Sequence, residues 1–183
     1  DGVWRFASNF EGIRPGNLVP FLDTNLRIRQ PVAEGPLRWK GPLTRTEWSS
    51  AAGRTAKPLK AVLTGPVTLA RHTDPAGNPA GPASLIPSYA QGLIEETRAL
   101  VDAGASWIQI EEPSVMAHPE DLPMLRDFLS TLSKIAPAPR VMLATYFGDA
   151  APVYDKLLAL PVTGLAWDLT RSEALRERIA AGF

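Results

Sequence analysis

Five short runs of apolar residues punctuate the chain, and helical periodicity fills the stretches between the later ones. The runs are residues 18–28 (LVPFLDTNLRI), 59–64 (LKAVLT), 107–111 (WIQIE), 141–147 (VMLATYF) and 164–169 (GLAWDL). Each reads as a β-strand. The middle three are almost continuously apolar, the pattern of parallel strands covered on both faces. Between them, Leu85, Ile86, Tyr89, Leu93, Ile94, Leu100 and Val101 recur at helical spacing. Glu95, Glu96, Arg98 and Asp102 fall mostly on the opposite, solvent-facing side. Ser84 reads as the N-cap of this helix and Gly104 as its stop. A second helix is expected from Asp121, with Pro123 in its first turn and a stripe of Leu125, Phe128, Leu129 and Leu132. A third spans residues 152–160. A fourth starts at Ser172 and carries Leu175, Ile179 and Phe183.

Strand and helix alternating in this way specify an α/β fold with a parallel sheet. No strand is followed by GxGxxG or GxxxxGK[ST], which argues against a dinucleotide-binding or P-loop fold. Polar residues gather instead at the C-terminal ends of the strands: Asp23 and Asn25, Thr64, Glu111 and Glu112, Thr145 and Tyr146, and Asp168. That placement suits a (β/α)8 TIM-barrel type of fold, whose site lies at the C-terminal face. Such a barrel takes about 250 residues, so 183 residues are expected to form one partial barrel domain over 1–183, with about five β/α units. The chain is read as a fragment. Residues 75–82 (PAGNPAGP) form a loop within the domain and not a linker, because the alternation continues on both sides.

Composition narrows the function. Hydrophobic residues make up 45% and charged residues 21%, enough apolar material for a real core. No run of about 18 apolar residues is present, so no membrane-spanning helix is expected. The first ten residues lack the basic-then-apolar layout of a signal peptide. The chain has no cysteine, which removes disulfides, a thiol nucleophile and any thiolate zinc site, and fits a cytoplasmic location. With only His72 and His118, a metal centre would need carboxylates as its main ligands. Net charge is zero but uneven, with ten Lys/Arg against five Asp/Glu up to Lys60 and nine against fourteen after it. A basic first third suits a polyanion, and a solvated face is the plainer reading. No nucleic-acid-binding motif accompanies the charge, so no nucleic-acid partner is expected.

Several blocks together carry a resemblance. FLDTN (residues 21–25), LTGPVTL (63–69), AGASWIQIEEP (103–113), TYFGD (145–149) and LAWDLTR (165–171) stand in order at compatible spacing. In this they resemble cobalamin-independent methionine synthase, from about Asn17 to Phe183. The resemblance implies two face-to-face (β/α)8 barrels related by duplication. It implies transfer of a methyl group from 5-methyltetrahydrofolate polyglutamate to homocysteine, with zinc in the C-terminal barrel holding the homocysteine sulfur as thiolate. In the zinc-bearing barrel the site begins with His-x-Cys at the end of the strand equivalent to residues 141–147. Here that strand ends Thr145-Tyr146-Phe147, as in the N-terminal barrel of the family. The resemblance therefore points to the folate-side, N-terminal half, lacking a zinc site of its own. Its implied partners are methyltetrahydrofolate polyglutamate and a zinc-bearing barrel in the same or another chain.

The departures are specific. Asp23, Thr24 and Asn25 match the family block Lys-Trp-Phe-Asp-Thr-Asn, but Pro20 replaces the folate-facing Lys and Leu26-Arg27 the following aromatic pair. Arg27 or Arg29 would then supply the lost positive charge. Glu111 stands where the family usually has Asp. Residues 35–42 (GPLRWKGP) are also similar to shorter single-barrel relatives, which carry a zinc site that this chain lacks. The expected ligand-binding residues are Asp23, Asn25, Arg27, Glu111 and Glu112, with no catalytic residue and no metal ligand in this chain. Asp23 and Asn25, two apart on a strand, share a face, whereas Glu111 and Glu112 point to opposite faces, so that only one easily enters a pocket. His72 and His118 read as surface residues, Tyr146 and Trp167 as packing residues, and Trp107 as core. Two alternatives stay open: a stand-alone, non-catalytic barrel relative that binds a partner, and an unrelated enzyme of the same fold using Asp23, Glu111 and Asp168 as a metal or acid/base cluster.

Overall fold

The computed structural model describes residues 2–135 and 137–182. Phe183, expected on the last helical stripe, lies outside them. The elements run α1 (Gly2–Ala7), β1 (Phe10–Pro20), β2 (Arg27–Trp39), α2 (Arg45–Ala52), β3 (Lys60–Thr64), α3 (Pro66–Arg71), α4 (Ile86–Asp102), β4 (Trp107–Glu111), α5 (Leu122–Leu132), β5 (Arg140–Thr145), α6 (Tyr154–Leu158), β6 (Gly164–Trp167) and α7 (Glu173–Ala180). Strands β3, β4, β5 and β6 form one parallel sheet in chain order. Each crossover carries at least one helix, as parallel neighbours require.

Register sorts the strand residues onto two faces. Ala61, Leu63, Ile108, Ile110, Val141 and Leu143 point to the helical layer, each at most 6% exposed. The other face presents Lys60, Val62, Trp107, Gln109, Arg140 and Met142. Val62 is 43% exposed there, and Trp107 is half-buried beneath the Arg140 guanidinium, 5.0 Å from its ring. The expected cover on both faces is thus present on one only, and Trp107 is not a core residue. The polar residues Lys60, Gln109 and Arg140, one on each of three neighbouring strands and all on this face, were the sign of this asymmetry.

The first expected strand, residues 18–28, is two strands and a turn. β1 and β2 form an irregular antiparallel hairpin, with residues 21–26 as its loop. The Phe21 N–H donates to the Leu26 carbonyl (2.9 Å). The Thr24 hydroxyl donates to the Phe21 carbonyl (2.6 Å) and accepts from the Leu26 N–H (3.1 Å). Apolar flanks hid a turn whose chemistry is Asp-Thr-Asn, with Leu22 at a positive φ of 51°. The hairpin docks on α4 because Gly92 leaves room there. A Cβ at Gly92 would overlap the Phe10 ring, which stands edge-on to Tyr89 with centroids 5.0 Å apart.

Helix α4 starts one residue later than expected, with Leu85 in the N-cap position. Ser84 lies in a preceding 3-10 turn, and its hydroxyl donates to the Gly81 carbonyl (2.6 Å) instead of capping the helix. Gly104 does end the helix, at φ 101°, with the Ala105 N–H reaching back to the Leu100 carbonyl (2.9 Å). The α5 stripe and the Ser172 cap are as expected: Leu125, Phe128, Leu129 and Leu132 are buried, and the Ser172 side chain accepts from the Leu175 N–H (3.0 Å).

Glu96 corrects the reading of the α4 solvent face. It is 1% exposed, and its carboxylate accepts from the N–H groups of Leu43 (2.8 Å) and Thr44 (2.7 Å) and from the Thr44 hydroxyl (2.5 Å). It thereby fixes the start of α2, whose own cap residue makes no side-chain cap bond. Glu96→Ala is expected to leave both N–H groups unpaired and to lower stability by roughly 3 kcal/mol in urea unfolding followed by far-UV circular dichroism. A loss below about 1 kcal/mol would show that water replaces the carboxylate there.

Candidate functional site

The hairpin loop folds back over the C-terminal ends of β3 and β4. Between them lies a pocket of about 280 Å³, lined by Gly2 and Val3 of α1, Phe21, Leu26, Arg27 and Ile28 of the hairpin, Thr64 and Glu111 of the strand ends, and Tyr146 after β5. Of the expected ligand-binding residues, the structure brings Arg27 and Glu111 together here. Asp23 and Asn25 sit on the exposed outside of the loop, away from this lining. They lie in a turn, so their two-residue spacing does not give them a common strand face.

Glu111 is oriented from both sides. Its Oε2 accepts from the Tyr146 hydroxyl (3.0 Å) and its Oε1 from the Gln109 amide (3.1 Å). Gln109 in turn accepts from the Lys60 ammonium group. Burial, reinforced by the Glu111 carboxylate beside it, holds the Tyr146 phenol well above its usual range, so it stays a donor. Around it stands an aromatic group: Tyr146 against Phe147 (5.0 Å), Phe147 against Phe21 (6.3 Å), and Phe21 against His72 (4.8 Å). Phe147 sits at φ 62°, a strained backbone for a large residue. Its N–H is anchored by Asp168 (3.2 Å). His72 is therefore not a surface residue. It is half-buried against Phe21, and its Nε2 is sealed with no hydrogen-bond partner among the described residues. Tyr146 was counted among the polar residues at strand ends but read as a packing residue, whereas its hydroxyl orients Glu111. Its position at a strand end was the available signal for its place in the site.

Glu112 is not in the pocket. It points behind β4 and is wholly buried. Its carboxyl accepts from the Val67 N–H (2.9 Å), the Thr68 N–H (2.8 Å) and the Thr68 hydroxyl (2.7 Å). These are unpaired donors of the first turn of α3, so Glu112 serves as the cap that the helix lacks from its own Gly65. A Cβ at residue 65 would overlap the Glu112 carboxyl group. Alternation along the strand sends one glutamate to the pocket and the other to this buried cap.

Among the described residues, no three His, Cys, Asp or Glu side chains gather as a metal-ligand set. Asp23, Glu111 and Asp168 form no cluster. Asp168 is spent on the N–H (3.0 Å) and hydroxyl (2.6 Å) of Thr170, which hold its carboxyl below the usual range. The donors at the end of β5 are Thr145 and Tyr146, and they do not fit a zinc site.

Residues 15–183 match the family model "Cobalamin-independent synthase, N-terminal domain". The chain belongs to the cobalamin-independent methionine synthase family. It is 36% identical over 135 residues to the 5-methyltetrahydropteroyltriglutamate–homocysteine methyltransferase of Nitrobacter winogradskyi, an alignment covering 73% of this chain and 17% of the relative. With the enzyme of the same name from Streptomyces coelicolor it is 32% identical over 192 residues, covering 95% of this chain and 23% of the relative. The chain thus spans about a fifth of the length of these methionine synthases, as part of their N-terminal portion. Among solved structures, the B12-independent methionine synthase of Shewanella sp. W3-18-1, in complex with selenomethionine, superposes with a TM-score of 0.65 at 20% identity. It covers 84% of this chain and 46% of that one. A putative methionine synthase from Listeria monocytogenes gives a TM-score of 0.62 at 18% identity, covering 88% and 51%. These two likenesses speak to the fold.

The buried cap generates two expectations. Gly65→Ala forces its methyl group against a sealed carboxyl, and it is expected to cost about 2 kcal/mol in urea unfolding. A neutral effect would mean that Glu112 can swing away. The second concerns pH. Burial pushes the Glu112 carboxyl up to about 7 from 4.5, against the opposing pull of Thr68 and Val67. The folded chain then holds this proton more tightly than the unfolded chain. Its contribution to stability is full below 4.5 and is lost as pH rises through about 7. His72 runs the other way. Burial, with His118 nearby, lowers its imidazole from 6.5 to about 4, so its contribution is full above 6.5 and lost as pH falls through about 4. Because the two oppose, the informative quantity is the stability of the chain minus that of Glu112→Gln. This difference is expected to fall between pH 5 and 8. A difference that rises instead would show the three donors holding Glu112 as an anion.

Proposed function

We propose that this chain is the folate-side part of a zinc-dependent methyltransferase that moves the methyl group of 5-methyltetrahydrofolate polyglutamate to homocysteine. The observation that carries the reading is the family match over residues 15–183, joined to polar strand ends that contain no zinc ligand set among the described residues. Its four parallel strands are then one arc of a (β/α)8 barrel. The longer protein supplies the remaining strands over the face bearing Val62, Trp107 and Met142, and a second barrel carries zinc. The zinc there stabilises the homocysteine thiolate. This chain's part is to hold the folate tail with cations of the hairpin, Arg27 or Arg29, which share one face of β2. No helix of the described residues is long and apolar enough to cross a membrane, and the proposed setting is the cytoplasm.

The test is methyl transfer by the longer polypeptide that carries this segment. Arg27→Ala and Arg29→Ala are assayed with the mono- and triglutamate forms of methyltetrahydrofolate. One of them is expected to raise KM for the triglutamate about tenfold more than for the monoglutamate, with kcat unchanged. An unchanged KM ratio in both would place tail capture elsewhere. Absence of any methyl transfer by the unsubstituted protein would overturn the reading.

A further inference from the structure

We propose that the trough between α5 and α6, on the outer side of the helical layer, binds a small amphiphile with a single carboxylate head and an apolar body. The trough has a volume of about 540 Å³, inside the range of roughly 300–1,000 Å³ for small-molecule sites. It is open because α6 has five residues against eleven in α5, so the short helix cannot cover its neighbour along its whole length. Leu122 and Leu160, 8% and 6% exposed, form the floor. Pro119 and Pro123 near the start of α5 and Ala159 at the end of α6 extend this apolar surface. Arg126 of α5 and Lys156 of α6 stand on the two walls. The trough shares no residue with the pocket beneath the hairpin loop, so the assignment is independent of the methyltransferase reading.

The charges around the floor select the ligand. Neither Arg126 nor Lys156 makes an ion pair, side-chain hydrogen bond or cation–π contact with a described residue. Two carboxylates also line the trough, Asp127 and Asp155. Asp155 is already neutralised by Arg178 of α7, which donates to both its oxygens (3.0 and 2.8 Å). Two free cations therefore face one free carboxylate, an excess of one positive charge beside an apolar floor. A cationic ligand would be repelled. An uncharged apolar one would cover the floor but take water from both cations and return nothing. A dianion would bring its second charge up against Asp127, and a small inorganic anion would leave Leu122 and Leu160 wet. A monocarboxylate with an apolar body satisfies each group: its head between the Arg126 fork and the Lys156 ammonium, its body on the leucine floor.

The experiment is calorimetric titration of the full 183-residue chain with probes that share a tail or a head. Octanoate carries the tail and one negative charge, octylamine the tail and a positive one, 1-octanol the tail alone, and acetate the head alone. Octyl phosphate, nearly a dianion at neutral pH, carries the tail and a second charge. Octanoate is expected to bind at least tenfold tighter than octylamine, octanol or acetate, and tighter than octyl phosphate. Arg126→Met and Lys156→Met should each weaken octanoate about fivefold or more and leave octanol unchanged. Asp127→Asn should strengthen octyl phosphate more than octanoate. Lys134→Met removes an exposed cation outside the trough and should change nothing. Far-UV circular dichroism checks that each variant keeps its fold. Equal binding of octylamine or octanol would make this a plain apolar surface and overturn the proposal, and equal binding of acetate would make it a plain anion site and do the same. Tighter binding of octyl phosphate, no binding of octanoate, or binding indifferent to both Arg126→Met and Lys156→Met would also overturn it. So would octanoate binding by this chain that is absent from the longer polypeptide, because the trough would then be covered by the protein's own residues. Methyl transfer is untouched by any of these outcomes, so the two readings fail separately.

Discussion

The Glu112 carboxyl group, sealed from solvent at the start of α3, is the constraint on which the upper end of the sheet depends. Three donors from Val67 and Thr68 converge on it, and the Thr68 hydroxyl is itself approached by the Ser114 N–H (3.3 Å). The turn after β3 and the turn after β4 are therefore closed on one another. The far end of α3 is fastened as well: Arg71 makes a two-pronged contact with the buried Asp121 (2.7 and 2.9 Å) and a third bond to Glu120 (2.8 Å). One residue past α3's C-cap, the Thr73 and Tyr89 hydroxyls meet at 2.8 Å. A helix of only six residues would be marginal alone. Here it is held at both ends, and five of its residues are buried. Because it is held, Thr64 and Glu111 keep their places beneath the hairpin loop.

Much of this was legible in the sequence because it depends on local pattern. Residues 59–64, 107–111 and 164–169 turned out as strands near their expected limits, and the Gly104 stop and Ser172 cap follow from backbone chemistry that a single position decides. What failed depended on distant partners. Glu96 has the spacing of a solvent-facing residue, and only the loop at Leu43 and Thr44, some fifty positions earlier, makes it a buried one. Asp121 does stand at the start of α5, but its carboxylate is spent on Arg71, a partner fifty positions away. The hairpin was missed because its loop is flanked by apolar residues, so Phe21 and Ile28 read as one strand when they line opposite sides of a turn. Of the residues that line the pocket, Glu111 was expected as a carboxylate at a strand end, and Arg27 only as a replacement for the positive charge lost at Pro20. Asp23 and Asn25 were placed by a periodicity that the turn breaks.

The sheet has two unlike faces, and this frames how the family could divide its work. The helical side is a finished core. The opposite side carries a polar file from Lys60 through Gln109 and Glu111 to Tyr146, with Val62, Trp107 and Met142 between. A relative with His and Cys at the end of β5 would turn the same strand ends toward metal. With Thr145 and Tyr146 there, the strand ends of this chain present charge and aromatic surface, which is what the proposed substrate-binding role asks of them. That agrees with a domain that binds substrate while another performs the transfer.

The contact between Gly65 and Glu112 also bears on how such a chain can change over time. Any side chain at residue 65 collides with the glutamate, so residue 112 would have to shorten first. Shortening it, however, leaves the Val67 and Thr68 donors without an acceptor. Neither position has an easy first step, because a change at either of two segments more than forty residues apart disturbs the other. The Gly-Pro of one turn and the Glu-Pro of the other are, in that sense, a single structural requirement written in two places.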